Sequence, residues 1–204
     1  MLRIDNLSKR YGDHHVFQGL AHTFPPGCVA LCEEDSTGKT SLLEIIAGVI
    51  APDAGDIWID GHSLTQAPLQ AKARMAYVPD NCLAFPMQTG RGFLDQAALE
   101  KNTTVDDAVL DLAYRLGLEP HLDKRFEQMS TGTRRKVFLT AAALGEPAVV
   151  IADGPSSGLD LQARTELAEQ FKIWSQDRVV LFASHDAEFV QACAASTINL
   201  MSPV

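Results

Sequence analysis

The segment Glu33-Glu34-Asp35-Ser36-Thr37-Gly38-Lys39-Thr40 constrains this chain more than any other, because of what stands on either side of it. Before it, Cys28-Val29-Ala30-Leu31-Cys32 is apolar and β-prone and follows the turn Pro25-Pro26-Gly27, so it reads as a buried strand. After it, Leu42, Leu43, Ile45 and Ile46 fall at helical spacing between Thr40 and Ala47, with Gly48 as terminator. A polar loop that runs from a buried strand into a helix N-terminus suits an anion, since the first-turn amides lack partners and the dipole end is positive. There Lys39 would neutralise the β- and γ-phosphates of a nucleotide, and the Thr40 hydroxyl would ligate magnesium. The alternative is an ordinary strand–loop–helix with a surface lysine. Glu33 keeps it open, because a phosphate loop normally begins with glycine.

Other segments carry related chemistry. Val149-Val150-Ile151-Ala152-Asp153 is an apolar strand ending in a carboxylate, suited to the magnesium side of a phosphate site, although an aspartate can also simply end a strand. Val179-Val180-Leu181-Phe182-Ala183-Ser184-His185-Asp186 reads as a further buried strand ending in a histidine. In the middle of the chain, Val105, Val109, Leu112 and Leu116 share one helical face, with Thr104 as expected N-cap, Asp106 and Asp107 in the first turn, and Gly117 as terminator. A second helix is expected from about Thr133 to Leu144, stopped by Gly145 and Pro147. The last third alternates strand and helix, the pattern of a parallel sheet.

Composition narrows the partners. With 17 basic against 26 acidic residues the net charge is −9, which argues against nucleic acid held by a broad basic face. The basic cluster Arg134-Arg135-Lys136 reads as a solvated helix start, with a dedicated contact as the alternative. No apolar run approaches a membrane span and Arg3, Asp5, Lys9 and Arg10 exclude a signal peptide, so a soluble protein is expected that would reach a membrane only through a partner. Cys28, Cys32, Cys82 and Cys193 lack metal-site spacing. The first two fall in the expected buried strand and read as small hydrophobes in a reducing compartment.

Taken in order, the motifs resemble those of ATP-binding-cassette (ABC) ATPase subunits over nearly the whole chain. Gly38-Lys39-Thr40 matches the end of the phosphate loop. Met129-Ser130-Thr131-Gly132-Thr133, about ninety residues downstream, resembles the signature motif. Leu7-Ser8-Lys9-Arg10-Tyr11-Gly12 resembles the loop whose aromatic stacks on adenine, Gly55 to Gly61 the β-hairpin piece, Gly154 to Asp160 the D-loop, and His185 the switch histidine. The resemblance implies an α/β P-loop NTPase (RecA-like) core with an N-terminal antiparallel β part. A helical subdomain at roughly 79–145 would be inserted in that core and carry the signature motif, all within a single domain spanning 1–204. The chain ends shortly after its last strand, so no appended regulatory domain is expected.

The resemblance also implies roles. Asp35, Ser36, Thr37, Gly38, Lys39, Thr40 and Ser41 would hold the phosphates of ATP, and Tyr11 would stack on the adenine unless it is a half-exposed core tyrosine. Thr40, Asp153 and Asp80 would face Mg2+, and Asp153 and His185 would be catalytic. Two cassettes, in a homodimer or heterodimer, would sandwich ATP, so that Ser130 and Gly132, with Asp160, complete a site at the interface. A membrane permease subunit would be the other partner, placing the chain in the cytoplasm, peripheral at the inner face of the membrane.

Three positions depart from the pattern. Gly154 stands where the family has a glutamate that positions or deprotonates water, a loss worth about 10²–10⁴ in rate, so hydrolysis at the chain's own site should be slow. Asp80 replaces the Q-loop glutamine. Glu33 replaces a glycine, and a carboxylate about 6 Å from a phosphate charge costs about 1–3 kcal/mol unless it turns into water. Three alternatives stay open: a nucleotide-dependent regulatory cassette without transport, a structural subunit that no longer binds nucleotide, and a degenerate cassette serving a more active partner.

Overall fold

Alternation in the first strand sets up the N-terminal layer: Leu2, Ile4 and Leu7 are buried while their neighbours face outward. The computed structural model describes residues 1–32 and 38–199. In chain order its main elements are β1 (Leu2–Tyr11), β2 (His14–Phe24), β3 (Gly27–Leu31), α1 (Lys39–Ile46), β4 (Ala54–Ile59), β5 (His62–Ser63), α2 (Pro68–Ala73) and β6 (Met75–Val78). There follow α3 (Gly90–Glu100), α4 (Asp107–Arg115), α5 (Thr131–Ala141), β7 (Val149–Asp153), α6 (Leu161–Trp174), β8 (Val179–Ala183), α7 (Ala187–Ala192) and β9 (Ser196–Ile198).

Two sheets result. The first is antiparallel in the order β2-β1-β4-β5, and the second is parallel in the order β6-β7-β8-β3-β9. All residues of β7 and β8 are buried, as expected for parallel strands covered on both faces. Their side chains divide by parity. Val149, Ile151, Val179 and Leu181 join the cluster with α1 and the antiparallel sheet. Val150, Ala152, Val180 and Phe182 pack on Leu167 and Phe171 of α6 and Phe189 of α7. Leu31 and Asp153 both pair with Ala183, so β3, β7 and β8 end level at one edge of the sheet. This is the α/β architecture expected of a P-loop NTPase, with its antiparallel N-terminal part.

Helices α3, α4 and α5 lie between β6 and β7 in sequence and gather around Leu94, Phe126, Met129 and Val137, with the Phe93 and Phe138 rings 4.6 Å apart. Among the described residues no helix is long and apolar enough to cross a membrane.

Four local expectations need correction. Asp106, not Thr104, caps α4: its carboxylate accepts from the Val109 N–H at 3.0 Å, and an ionised acceptor suits the positive helix end better than a hydroxyl two residues earlier. The next long helix starts at Thr131 rather than Thr133, because the Ser130 hydroxyl accepts from the Thr133 N–H at 3.2 Å and so caps it. It ends at Ala141, three residues before Leu144. Cys32 lies beyond β3 and is exposed, whereas Cys28, Cys82 and Cys193 are buried. Finally, Arg134-Arg135-Lys136 is no solvated helix start. Arg134 donates to the Phe126 carbonyl at 2.8 Å, Lys136 to Asp160 at 2.6 Å, and Arg135 is only 2% exposed.

Candidate nucleotide site

A cavity of about 810 Å³ opens at the level carboxyl edge of β3, β7 and β8, bordered by the end of β1 and the start of α1. Clefts outside the carboxyl ends of parallel strands are where such sheets bind ligands. Gly38 takes a left-handed conformation (φ 96°) as N-cap of α1, a turn that glycine adopts without a Cβ penalty. It delivers Lys39, which is 8% exposed, and Thr40 to the cavity wall.

Across from them stands Asp153, the last residue of β7 and also 8% exposed. The Thr40 hydroxyl donates to its carboxylate. Its Oδ2 is buried without a hydrogen-bond partner. Burial raises the pKa of this carboxyl above the ordinary value, the Thr40 hydrogen bond opposes the rise, Asp80 adds to it, and Arg135 and Lys39 oppose it. A buried carboxylate oxygen left unpaired beside a hydroxyl is a donor set for a hard cation. Thr40 and Asp153 therefore fit a magnesium ion.

This arrangement separates stability from binding. A raised pKa in the folded state means that folding disfavours ionised Asp153, and that cost is fully present above the raised pKa and relieved as pH falls through it. Asp153→Asn is expected to raise the melting temperature at neutral pH while weakening magnesium-dependent nucleotide binding by about 10-fold or more. Thermal unfolding and binding titrations on one preparation check both signs.

Asp80 follows β6 and lines the same cavity, its side chain 61% exposed. Arg135 reaches it from α5. One guanidinium nitrogen donates to the Asp80 carbonyl at 2.7 Å and to Asp80 Oδ1 at 3.3 Å. The other donates to the Asp153 carbonyl at 3.1 Å and to the Gly154 carbonyl. Gly154 is left-handed (φ 55°), and a Cβ there would lie 3.3 Å from Asp80 Oδ1 and 3.6 Å from Arg135.

The other expected site residues are distributed as follows. Tyr11 is 52% exposed at the cavity margin, its hydroxyl 3.5 Å from Ser41 Oγ, with the Lys9 ammonium 5.3 Å from the ring centre. His185 follows β8 and is exposed on the cavity wall. Beside it Asp186 caps α7 and is held by Ser156 at 3.1 Å and by Arg164. Ser130 and Gly132 sit at the start of α5 and are not among the residues lining the cavity. Gly132 packs so closely on the 158 loop that an added Cβ would meet the Gly158 carbonyl oxygen at 2.1 Å. Asp160 also lies off the cavity wall: it caps α6 through the Ala163 N–H at 2.9 Å and binds Lys136. Glu33, Asp35, Ser36 and Thr37 lie outside the described residues.

Sequence reasoning missed Arg135 and the Asp186–Arg164–Ser156 group. A signal for the first was present. Arg135 stands three residues after Gly132 and four before Leu139, both buried, so helical spacing places it on the inward face of α5.

A family model described as ABC transporter matches residues 18–157. The Nod factor export ATP-binding protein I of Paraburkholderia xenovorans is 31% identical over 201 residues, covering 92% of this chain and 63% of that protein. ATP-binding cassette sub-family A member 7 of Rattus norvegicus is 32% identical over 173 residues, covering 82% of this chain and 8% of that protein. The chain thus spans less than two thirds of either relative. A solved structure of the ATP-binding subunit of an ABC transporter superposes with a TM-score of 0.85 at 25% identity, covering 98% of this chain and 86% of that one. With Lys39 and Thr40 set on the same cavity as Asp153 in such a fold, the chain belongs to the ABC transporter family.

Proposed function

We propose that this chain is the ATP-binding subunit of an ABC transporter. It would bind Mg-ATP in the cavity, pair with a second cassette, and energise a separate membrane permease from the cytoplasmic side, with slow hydrolysis at its own site. The observation that carries this reading is the Thr40–Asp153 pair, with its unpartnered buried oxygen beside a buried Lys39. Nothing in a purely structural subunit calls for that combination.

Two further features support the partners. Ser130 and Gly132 stand apart from the chain's own cavity, as they would if they served a site on a second cassette. The relatives and the matching structure, by name, include transporter ATP-binding subunits. An apolar groove of about 460 Å³, lined by Leu83, Phe85, Pro86 and Phe93, opens a few residues beyond Asp80. That groove would receive the permease. Gly154 favours a second reading, a regulatory or structural cassette that binds nucleotide without turning it over.

Equilibrium binding of Mg-ATP to the purified chain is the test. Micromolar binding is expected, weakened about 10²-fold in Lys39→Ala, where the phosphates lose a buried cationic partner. No binding at millimolar ATP would overturn the proposal in favour of a structural subunit. Binding without any phosphate release would favour the second reading.

A further inference from the structure

We infer that the Asp80 carboxylate orients the attacking water for hydrolysis at the chain's own site, in place of the side chain that Gly154 lacks. The inference rests on the reading just given, since the cavity must hold Mg-ATP.

Position comes first. Asp80 Oδ1 lies 3.3 Å from where a Cβ on Gly154 would stand, so the carboxylate occupies the space that a side chain at 154 would enter. A change at one position makes room for the group at the other. Support comes second. Arg135, buried in α5, holds both the carbonyl and the carboxylate of Asp80 while binding the carbonyls of Asp153 and Gly154. One guanidinium thereby ties residue 80 to the strand end that carries Asp153, fixing the carboxylate relative to the phosphate end of the cavity. Such fixing is what a water-positioning group needs.

Elimination comes third. Among the described residues the cavity is lined by three carboxylates: Asp80, Asp153 and Asp186. Asp153 is buried and directed to Thr40. Asp186 is consumed by Ser156, Arg164 and the Phe189 N–H. Asp80, on the cavity wall, is the one whose side chain stays mostly exposed.

In the step itself, the water oxygen bonds to the γ-phosphorus as the bond from that phosphorus to the β–γ bridging oxygen breaks. The electron pair of the broken bond leaves with ADP, and the water's proton passes to an oxygen of the departing phosphate. Asp80 accepts a hydrogen bond from the water and so aims its lone pair at phosphorus. This assigns Asp80 to the water rather than to magnesium.

The test is single-turnover phosphate release, with the full chain in excess over Mg-ATP, comparing wild type, Asp80→Asn and a Lys39→Ala blank. Asparagine keeps the size and the acceptor for Arg135 but loses the charge. Release is expected to fall about 10²-fold in D80N, with Mg-ATP affinity and the magnesium requirement unchanged. Unchanged release in D80N overturns the inference, as does wild-type release no faster than the blank. A parallel rise in the magnesium requirement would instead make Asp80 a metal ligand, which also overturns it. Wild-type chain that fails to bind Mg-ATP removes the proposed function itself, whereas binding with release independent of Asp80 removes only this assignment.

Discussion

Arg135→Met is expected to destabilise the protein by about 2–4 kcal/mol, because it strips a charged donor from several acceptors at once. The guanidinium serves three carbonyls, those of Asp80, Asp153 and Gly154, as well as the Asp80 carboxylate. Methionine fills similar volume but donates nothing, so carbonyls at the end of β7 lose their partner where water enters poorly. Two terms limit the loss. The Asp80 side chain is mostly exposed and can solvate itself, and the Arg135 Nε is itself buried without a partner, so removing it relieves a cost already present. For a chain of this size the fall in melting temperature is roughly 5–15 °C. Arg135→Lys, which keeps the charge and one or two of the hydrogen bonds, should recover part of it. A methionine variant that melts with the wild type would show the guanidinium to be dispensable. Its consequence for function would follow from position, since Ser130 caps α5 and Gly132 lies in its first turn, and Arg135 ties that helix to Asp80 and Asp153 on the cavity wall.

That residue also marks where the sequence stops being readable. The strand before Glu33 and the helix after it were legible, because an apolar run and a helical period are local properties and the turn residues agree with them. Asp153 and His185 could be placed at strand ends for the same reason. The order β6-β7-β8-β3-β9 could not be read from periodicity, because every central parallel strand is a similar apolar run and the order depends on the crossovers. Two helix starts were misread: Asp106 caps α4 in place of Thr104, and α5 begins two residues ahead of Thr133. Three consecutive basic residues look like a solvated face, yet a helix turns each by 100°, so one of them could point inward and did. Asp160 carries a local role that its motif did not announce, as the N-cap of α6 paired with Lys136.

The charge at the centre of the site can be moved as well as removed. Combining Gly154→Glu with Asp80→Gln is expected to raise phosphate release about 10²-fold or more over the wild type, the rate that a well-placed carboxylate contributes. The two changes belong together. Gly154→Glu alone would bring a second carboxylate against Asp80, and like charges about 4 Å apart cost about 1–4 kcal/mol at effective dielectrics between water and a protein surface. That single change should therefore gain little, and Asp80→Gln by itself should lose turnover. Opposite signs for the same Asp80 substitution in the two backgrounds would show that the carboxylates at 80 and 154 do one job. A folding cost accompanies the gain, since a side chain at φ 55° is strained by about 1–2 kcal/mol, and the double variant should melt several degrees lower. Phosphate release at saturating Mg-ATP, read alongside thermal unfolding, separates the two effects. Wild-type chain that already turns over as fast as the double variant would mean that the missing side chain at 154 does not limit hydrolysis.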